Sequence, residues 1–199
     1  MAIVMRTPSV PGLDHVVEVL GTWQHDDAPV QLHPGDLGWH WRFGAESTAA
    51  AVRTWSRGEH LLAVGLLDSP RVLRLAISPE TGTDEELAHQ LLADVTDPVR
   101  GVLPAGEVSV EARFGEAFRH VLRSAGWEAD EWWTPLRRAL AEPVEDCGVR
   151  IEVIGPERAS VRVAVQRAAF DRSTFTEERW RTMAAGSPYA GPVRGGLRR

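Results

Sequence analysis

The sequence predicts an α+β fold in which a mixed, mostly antiparallel sheet is flanked by helices. Two observations lead to this prediction. Three short strand-like runs, separated by turn residues, follow one another between residues 52 and 77, and segments with a single apolar stripe lie before and after them. The chain has 199 residues, of which 43% are hydrophobic and 25% charged, so it carries enough apolar side chains to build a core.

The N-terminal part of the chain contains a helix, a loop and three strands. A helix is predicted at residues 13–23, where apolar residues recur at helical spacing, and a loop at residues 26–44, which are rich in Pro, Gly and His. The next three elements are predicted to be strands of an antiparallel meander: residues 52–56, 60–67 and 72–77.

A second helical pattern follows the meander. Residues 83–95 carry one apolar stripe, and Thr83 and Glu86 predict a capping box at its start. The elements after it are predicted to be a strand, a helix and an extended segment: residues 107–113, 116–125 and 127–136. The order up to this point is therefore α–β–β–β–α–β–α–β.

The last quarter of the chain differs in composition from the rest. Residues 1–150 carry a net charge of −10 and residues 151–199 a net charge of +4. Residues 141–148 are polar and predict a linker between the two parts. The elements beyond the linker are predicted to be a strand, two helices and a disordered tail: residues 149–154, 159–170, 176–185 and 190–199.

Composition excludes several functions. All 22 basic residues are arginines, so the chain has no lysine for a Schiff base, a phosphate loop or a general base. The single cysteine, Cys147, excludes an internal disulfide and a multi-cysteine zinc site, is expected to be an unremarkable thiol, and fits a reducing cytoplasm. The longest apolar run, residues 61–67, is too short to span a bilayer, and a net charge of −6 disfavours binding to nucleic acid. We expect a cytoplasmic protein with no signal peptide and no membrane or nucleic-acid partner.

The order of elements resembles that of the GNAT N-acetyltransferase superfamily. The segment LAISPE (Leu75–Glu80) is similar to the family's fourth strand and the turn after it, and Gly126-Trp127 stands where the family usually has Gly-Phe or Gly-Tyr. Residues 1–140 thus resemble one divergent GNAT domain. The resemblance implies a mixed sheet around acetyl-CoA, which donates an acetyl group to an amine.

Residues 149–189 resemble the opening strand and first two helices of a second GNAT domain, as in tandem-GNAT proteins of high-GC bacteria. The residues that carry this resemblance are Ala168-Ala169-Phe170, Ser173, Thr176, Glu178, Trp180, Met183 and Pro188-Tyr189. The resemblance implies that acetyl transfer takes place in this second domain, of which residues 149–189 are only the beginning. We also expect a homodimer, or docking of residues 149–189 within the chain, because an isolated strand–helix–helix piece leaves a strand edge and apolar faces uncovered.

The family binds the pyrophosphate of CoA with an Arg/Gln-x-x-Gly-x-Gly/Ala loop after the fourth strand, at a helix N-terminus. The equivalent stretch here, residues 79–86, has one glycine, Gly82, and no arginine. Three acidic residues, 84–86, occupy the first helical turn, where phosphate would bind. We therefore predict that residues 1–140 are a degenerate, non-catalytic scaffold that does not bind acetyl-CoA tightly.

Two alternatives remain open. The chain is an active acetyltransferase with an atypical CoA loop, for which Gly82, Thr83 and the main-chain amide near Ile77 are the candidate cofactor-binding groups. Alternatively, it is a non-catalytic interaction module that uses Trp132 or Trp133 and the basic tail.

Candidates for other chemistry are few. Tyr189 is the only tyrosine and thus the candidate for the general acid that GNAT enzymes often use, although its position beside Pro188 favours an anchoring or substrate-side role. The seven histidines show no metal-binding spacing, so no metal site is predicted.

Overall fold

The computed structural model describes residues 1–25, 30–131 and 152–190, together with positions 136, 139, 141, 143, 145, 148 and 150. The predictions for Trp132, Trp133, Cys147 and the tail at 191–199 lie outside these residues. The chain divides into two compact units. The first holds Met1–Glu128 and the described residues from Thr182 onward, and the second holds Ala129–Arg181. The predicted linker at 141–148 stays a prediction.

The described residues contain one five-stranded sheet, and the predicted mixed, mostly antiparallel arrangement is confirmed. Its strands lie side by side in chain order: β1 (Ile3–Arg6), β2 (Val52–Arg57), β3 (His60–Ser69), β4 (Val72–Ile77) and β5 (Ser109–Glu111). The first four are antiparallel neighbours, whereas β5 runs parallel to β4. The meander β2–β3–β4 was predicted from the sequence, but β1 was not, because its four residues pair with a strand about fifty positions away.

The hairpin between β2 and β3 follows directly from the local sequence. Arg57 pairs with His60, so Gly58 and Glu59 form a two-residue turn, and Gly58 adopts a φ of +64°, which favours glycine. In β3, Gly65 allows a close approach, because a Cβ there would lie 2.8 Å from Leu73 Cδ1. The strand is buried on both faces, as its unbroken apolar run predicted.

Eight α-helices lie within the described residues. They are α1 (Gly12–Thr22), α2 (Pro34–His40), α3 (Ala45–Ala51), α4 (Glu85–Thr96), α5 (Glu116–Ser124), α6 (Ala159–Ala169), α7 (Glu177–Ala184) and α8 (Ser187–Ala190). The helices predicted from apolar stripes at 13–23, 83–95, 116–125, 159–170 and 176–185 are confirmed, with ends that shift by no more than two residues.

The loop predicted at residues 26–44 is wrong where the structure has α2 and, at Trp41–Phe43, a 3₁₀ turn. The His33 imidazole accepts a hydrogen bond from the Gly35 amide (2.9 Å), and the Asp36 carboxylate accepts one from the His33 amide (2.8 Å). Pro34 follows as the first helical residue, a position that suits proline because its missing N–H is not needed there. The residues that predicted a loop therefore cap a helix.

The strand predictions beyond β4 are only partly correct. The strand predicted at 107–113 is limited to β5, because β5 pairs on one side with only three residues of β4. The described residues of two predicted extended segments, 127–131 and 150 with 152–154, have no strand structure. An extended pattern needs a hydrogen-bonding neighbour to become a strand, and no strand in the described part of the chain pairs with these residues.

Two apolar clusters cover the two faces of the sheet, as expected for a sheet flanked by helices. On one face, α4 and α5 bury Leu87, Leu91 and Phe118 against β2, β3 and β4. On the other face, α1 and α2 bury Leu20 and Leu37, among other residues. The sheet is thus a central layer, and every polar group on β3 and β4 must find a partner inside the protein.

The second unit contains α6 and most of α7. Phe175 and Trp180 are its largest buried side chains, and the Arg162 guanidinium lies 6.0 Å from the centre of the Phe175 ring. Thr176 caps α7 by accepting a hydrogen bond from the Arg179 amide. The exposed side of α6 carries Val165, which is 60% exposed.

A buried carboxylate attaches α4 to the sheet. Asp94, on α4, is completely buried and accepts hydrogen bonds from Trp55 Nε1 on β2 (2.8 Å) and from Gln90 Nε2 (2.9 Å). Its other oxygen pairs with Arg100, whose Nη2 lies at 2.7 Å. The buried charge of Asp94 is therefore compensated by hydrogen bonds and by an ion pair within the protein, as a buried charge requires.

We predict that Asp94→Ala lowers the free energy of unfolding by on the order of 3 kcal/mol, because it leaves the buried Trp55 N–H without an acceptor and Arg100 without its partner. Asp97→Ala is the matched control. Asp97 is exposed and accepts only from the Val99 amide, so its loss should cost about 1 kcal/mol. Urea denaturation of both variants measures the difference, and equal losses would contradict the role given to Asp94.

Candidate functional site

The candidate site lies beside the C-terminal end of β4, which extends beyond its pairing with the parallel strand β5. The last pair between the two strands is Arg74 with Glu111, and β4 continues for three residues to Ile77. The Ser78 amide donates to the Leu62 carbonyl on β3 (2.8 Å), so the backbone of the preceding residue, Ile77, faces the opposite side. We call the space beside Ile77, beyond the end of the β4–β5 pairing, the wedge.

The side chain of Gln31 fills the wedge. Its Oε1 accepts a hydrogen bond from the Ile77 amide (3.0 Å), and its Nε2 donates one to the Ile77 carbonyl (3.1 Å). Gln31 is 5% exposed. The main-chain amide that the sequence suggested as a cofactor-binding group is therefore already paired within the protein.

Gly82 does not lie in an open loop. Its backbone is in the helical region, and a Cβ at this position would lie 2.9 Å from Phe114 Cζ. Its carbonyl accepts a hydrogen bond from the Ala117 amide at the start of α5 (3.2 Å). The glycine is thus explained by the close approach of an aromatic ring, and the structure gives it no phosphate-binding conformation.

The capping box predicted from Thr83 and Glu86 is wrong. The N-cap of α4 is Asp84, whose carboxylate accepts a hydrogen bond from the Leu87 amide (2.9 Å). Thr83 is exposed and precedes the helix. Aspartate outranks threonine as a cap, and shifting the helix start by one residue also places Asp84 near an arginine.

That arginine is Arg57, at the end of β2. It pairs with Asp84 (3.0 Å) and with Glu86 (2.7 Å). Partial burial of the Asp84 carboxyl favours its neutral form, but the hydrogen bonds from the Leu87 amide and from Arg57 outweigh this and lower its pKa. The hydrogen bond to Asp84 is also the main cause that raises the pKa of Arg57. The positive end of α4 is therefore neutralised by the chain's own carboxylates.

A groove of about 750 Å³ lies between α4 and α5. Its floor is apolar, and its polar lining carries two glutamates and two histidines. The lining residues are Thr83, Glu85, His89, Leu92, Glu116, Ala117, His120, Val121, Ser124 and Ala125. No arginine is among these described side chains, so the groove wall lacks the cation that the pyrophosphate loop of the family usually supplies.

Tyr189 lies on a different part of the first unit. Its ring packs on Gly38 in α2, where a Cβ would lie 2.5 Å from Tyr189 Cε2. Its hydroxyl donates to the Gly35 carbonyl (3.2 Å). The structure thus brings Ile77, Gly82 and Thr83 to the end of β4 and the turn after it, whereas the side chain of Tyr189, in α8, packs against α2.

Sequence reasoning missed Gln31, Phe114 and Arg57. Gln31 stands in the segment interpreted as a loop, and it contacts a strand 46 positions further along the chain. Only the polarity of Gln31 between apolar neighbours could have drawn attention to it. For Arg57, the cluster of acidic residues at 84–86 indicated that a cation was needed nearby, but not which one.

Acetyl-CoA, which the family resemblance implies, does not fit these residues. The Ile77 amide is occupied, Gly82 is covered by Phe114, and the helix N-terminus carries carboxylates. A phosphate charge about 4 Å from an exposed carboxylate is disfavoured by about 1 kcal/mol in water, and by more where water is excluded.

No protein-family model, curated protein or solved structure matches this chain. Within the described part of the chain, no helix is both long and apolar enough to cross a membrane. The same residues contain no group of three or more His, Cys, Asp or Glu side chains that could hold a metal ion.

We predict that Asp84→Ala lowers the free energy of unfolding at pH 7 by about 1 kcal/mol, because α4 loses its cap. Thr83→Ala is the neighbouring control and should change it by less than about 0.5 kcal/mol, since Thr83 is exposed and precedes the helix. Chemical denaturation measures the free energy of unfolding of both variants. A larger loss of stability for Thr83→Ala than for Asp84→Ala would instead support the capping box.

The stabilisation by Asp84 also depends on pH. Its pKa is lower in the folded protein than in the unfolded chain, where an aspartate has a pKa of about 3.9. The stabilisation is therefore fully present above that pH and is lost as the pH falls through the folded value. Asp84→Asn keeps an acceptor for the cap but cannot titrate, so we expect a shallower loss of stability in acid. If the free energy of unfolding falls with the same slope in acid for the wild type and the variant, this expectation is contradicted.

Proposed function

We propose that the first unit is a GNAT-like acyl-CoA N-acyltransferase fold that has lost its cofactor site and acts as a non-catalytic scaffold. The fold proposal is supported by the strand order, by the antiparallel β1–β4, and by a parallel β5 whose pairing with β4 ends at Arg74 and Glu111. The resemblance carried by Leu75–Glu80 falls on this part of β4 and the turn after it.

The main support for the proposed loss of the cofactor site is the pairing of Gln31 with Ile77. In the superfamily, a main-chain amide near this point polarises the thioester carbonyl, and an amide can do this only when it is free to donate. Here the buried carboxamide takes both the amide and the carbonyl of Ile77. An active enzyme with an atypical loop at Gly82 and Thr83 would have to break these two bonds and displace Phe114.

The scaffold role is supported by the contacts of the segment Gly186–Tyr189 with α2 and the turn after it. Tyr189 covers Gly38, and Gly186 approaches the Trp41 ring so closely that a Cβ would lie 2.7 Å from it. These contacts support an anchoring role for Tyr189. Under this proposal, acetyl transfer belongs to the second GNAT-like domain that residues 149–189 resemble.

Isothermal titration of the full chain with acetyl-CoA tests the proposal. We expect no saturable heat, with a GNAT enzyme of known affinity as the positive control. Saturable binding at micromolar acetyl-CoA would contradict the proposal and would favour the active enzyme.

The scaffold role predicts that Gly38→Ala releases the Gly186–Tyr189 segment. The new methyl group would stand 2.5 Å from the Tyr189 ring, although alanine is the better helix former by about 0.5–1 kcal/mol. Gly21→Ala in α1 is the matched control, because its nearest neighbouring atom is 4.0 Å away. Amide hydrogen exchange of Gly186, Ser187 and Tyr189 should be faster in Gly38→Ala and unchanged in Gly21→Ala. Equal protection in both variants would show that the segment does not depend on this contact.

A further inference from the structure

Helix α6, in the second unit, has two apolar faces. Ala159 and Val163 are buried on its inner face. Four exposed apolar residues follow one another at helical spacing on the opposite face, and we call them the outer stripe: Val161, Ala164, Val165 and Ala168. A surface helix normally presents polar residues to solvent, so an apolar outer face indicates that another surface covers it.

The outer stripe is complementary to itself in the antiparallel direction. When two copies of α6 lie antiparallel about a two-fold axis that passes between Ala164 and Val165, each valine of the stripe faces an alanine of the other copy. Val161 then lies opposite Ala168, and Val165 lies opposite Ala164. Large side chains thus meet small ones, which lets the two helices approach closely.

The charges at the two ends of α6 follow the same symmetry. Glu157 and Arg158 precede the helix, Asp171 and Arg172 come after it, and all four are exposed. The axis that pairs valine with alanine also places Glu157 opposite Arg172 of the other copy, and Arg158 opposite Asp171. A parallel pair of helices would instead bring each charge next to its own copy. The charges therefore favour the antiparallel arrangement.

We infer that the outer stripe is a dimer interface, on which a second copy of this chain docks with its α6 antiparallel to the first. This narrows the two expectations from the sequence, a homodimer or docking within the chain, to the homodimer. A contact through one helix of three turns is smaller than a standard protein–protein interface, so the dimer should be weak and should form at high protein concentration. The inference goes beyond the proposed function, which concerns the cofactor site of the first unit.

Sedimentation velocity of the full chain, over about two decades of protein concentration, measures the Kd of the dimer. Val165→Glu should raise this Kd by about tenfold or more, because the two-fold axis brings both new carboxylates into the apolar contact. Glutamate is a good helix former, so α6 itself should persist. Val99→Glu is the matched control, because Val99 is 91% exposed on the first unit and lies outside the stripe. Its Kd should equal that of the wild type.

A charge exchange tests the antiparallel arrangement. Glu157→Arg and Arg172→Glu should each raise the Kd by about threefold or more, because each places like charges together at both ends of the dimer. The double variant exchanges the two charges and should restore the wild-type Kd. The two positions flank a helix of 11 residues, which is about 16 Å long, so they cannot pair within one chain. Restoration therefore requires contact between two copies.

A dimer that Val165→Glu weakens, that Val99→Glu leaves unchanged and that the double charge exchange restores supports the inference. A chain that stays monomeric at every concentration overturns it, as does a dimer that both glutamate variants weaken equally or that neither weakens. A double variant that remains as weak as the single ones overturns the antiparallel arrangement. Far-UV circular dichroism checks that each variant keeps the helix content of the wild type, and the concentration series of the wild type tests the inference even if a variant does not fold.

Discussion

The first unit is governed by one constraint: the backbone of β4 must be hydrogen-bonded along both edges, although its parallel neighbour covers only half of it. Ile77 is almost completely buried, and an unpaired amide or carbonyl there would cost about 1–3 kcal/mol each. A strand, a ligand, a water molecule or a side chain could supply the partner. The chain supplies Gln31, and the segment that carries Gln31 also begins α2. The closure of the wedge and the start of the helix that contacts Tyr189 are thus one local structure.

The same principle determines the position of α4. Its buried Asp94 receives the indole N–H of Trp55 from the sheet, and the carboxylate of Asp84 at its N-terminus receives a backbone amide and the Arg57 guanidinium. The helix is therefore attached to β2 by a charged group near each end. The attachment at the N-terminus uses a backbone amide and a guanidinium that a phosphate-binding helix would leave available.

The parts of the fold that could be predicted are those that local sequence patterns determine. The helix α4, the turn at Gly58 and the burial of β3 on both faces follow from the spacing of apolar residues and from residue types that favour turns. The parts that could not be predicted depend on partners distant in sequence. β1 becomes a strand only beside β2, and Gln31 acquires a role only beside Ile77. The cap of α4 was misplaced by one residue because Thr83 and Glu86 match the pattern of a capping box. The structure instead uses Asp84, which is the stronger capping residue and also lies near Arg57.

Under the proposed function, the completeness of the pairing favours a site that is closed from within over one that has only eroded. Loss of selection alone would leave a cavity or unpaired polar groups where a ligand had been, because random substitutions rarely supply matched partners. Here the amide and carbonyl of Ile77 are both satisfied, the Phe114 ring fills the space beside Gly82, and the acidic start of α4 has its own cation. Active sites keep such groups unpaired at a cost in stability, since they must bind something that is present only part of the time. A unit that satisfies them internally gains rigidity, which suits the scaffold role that we propose for it.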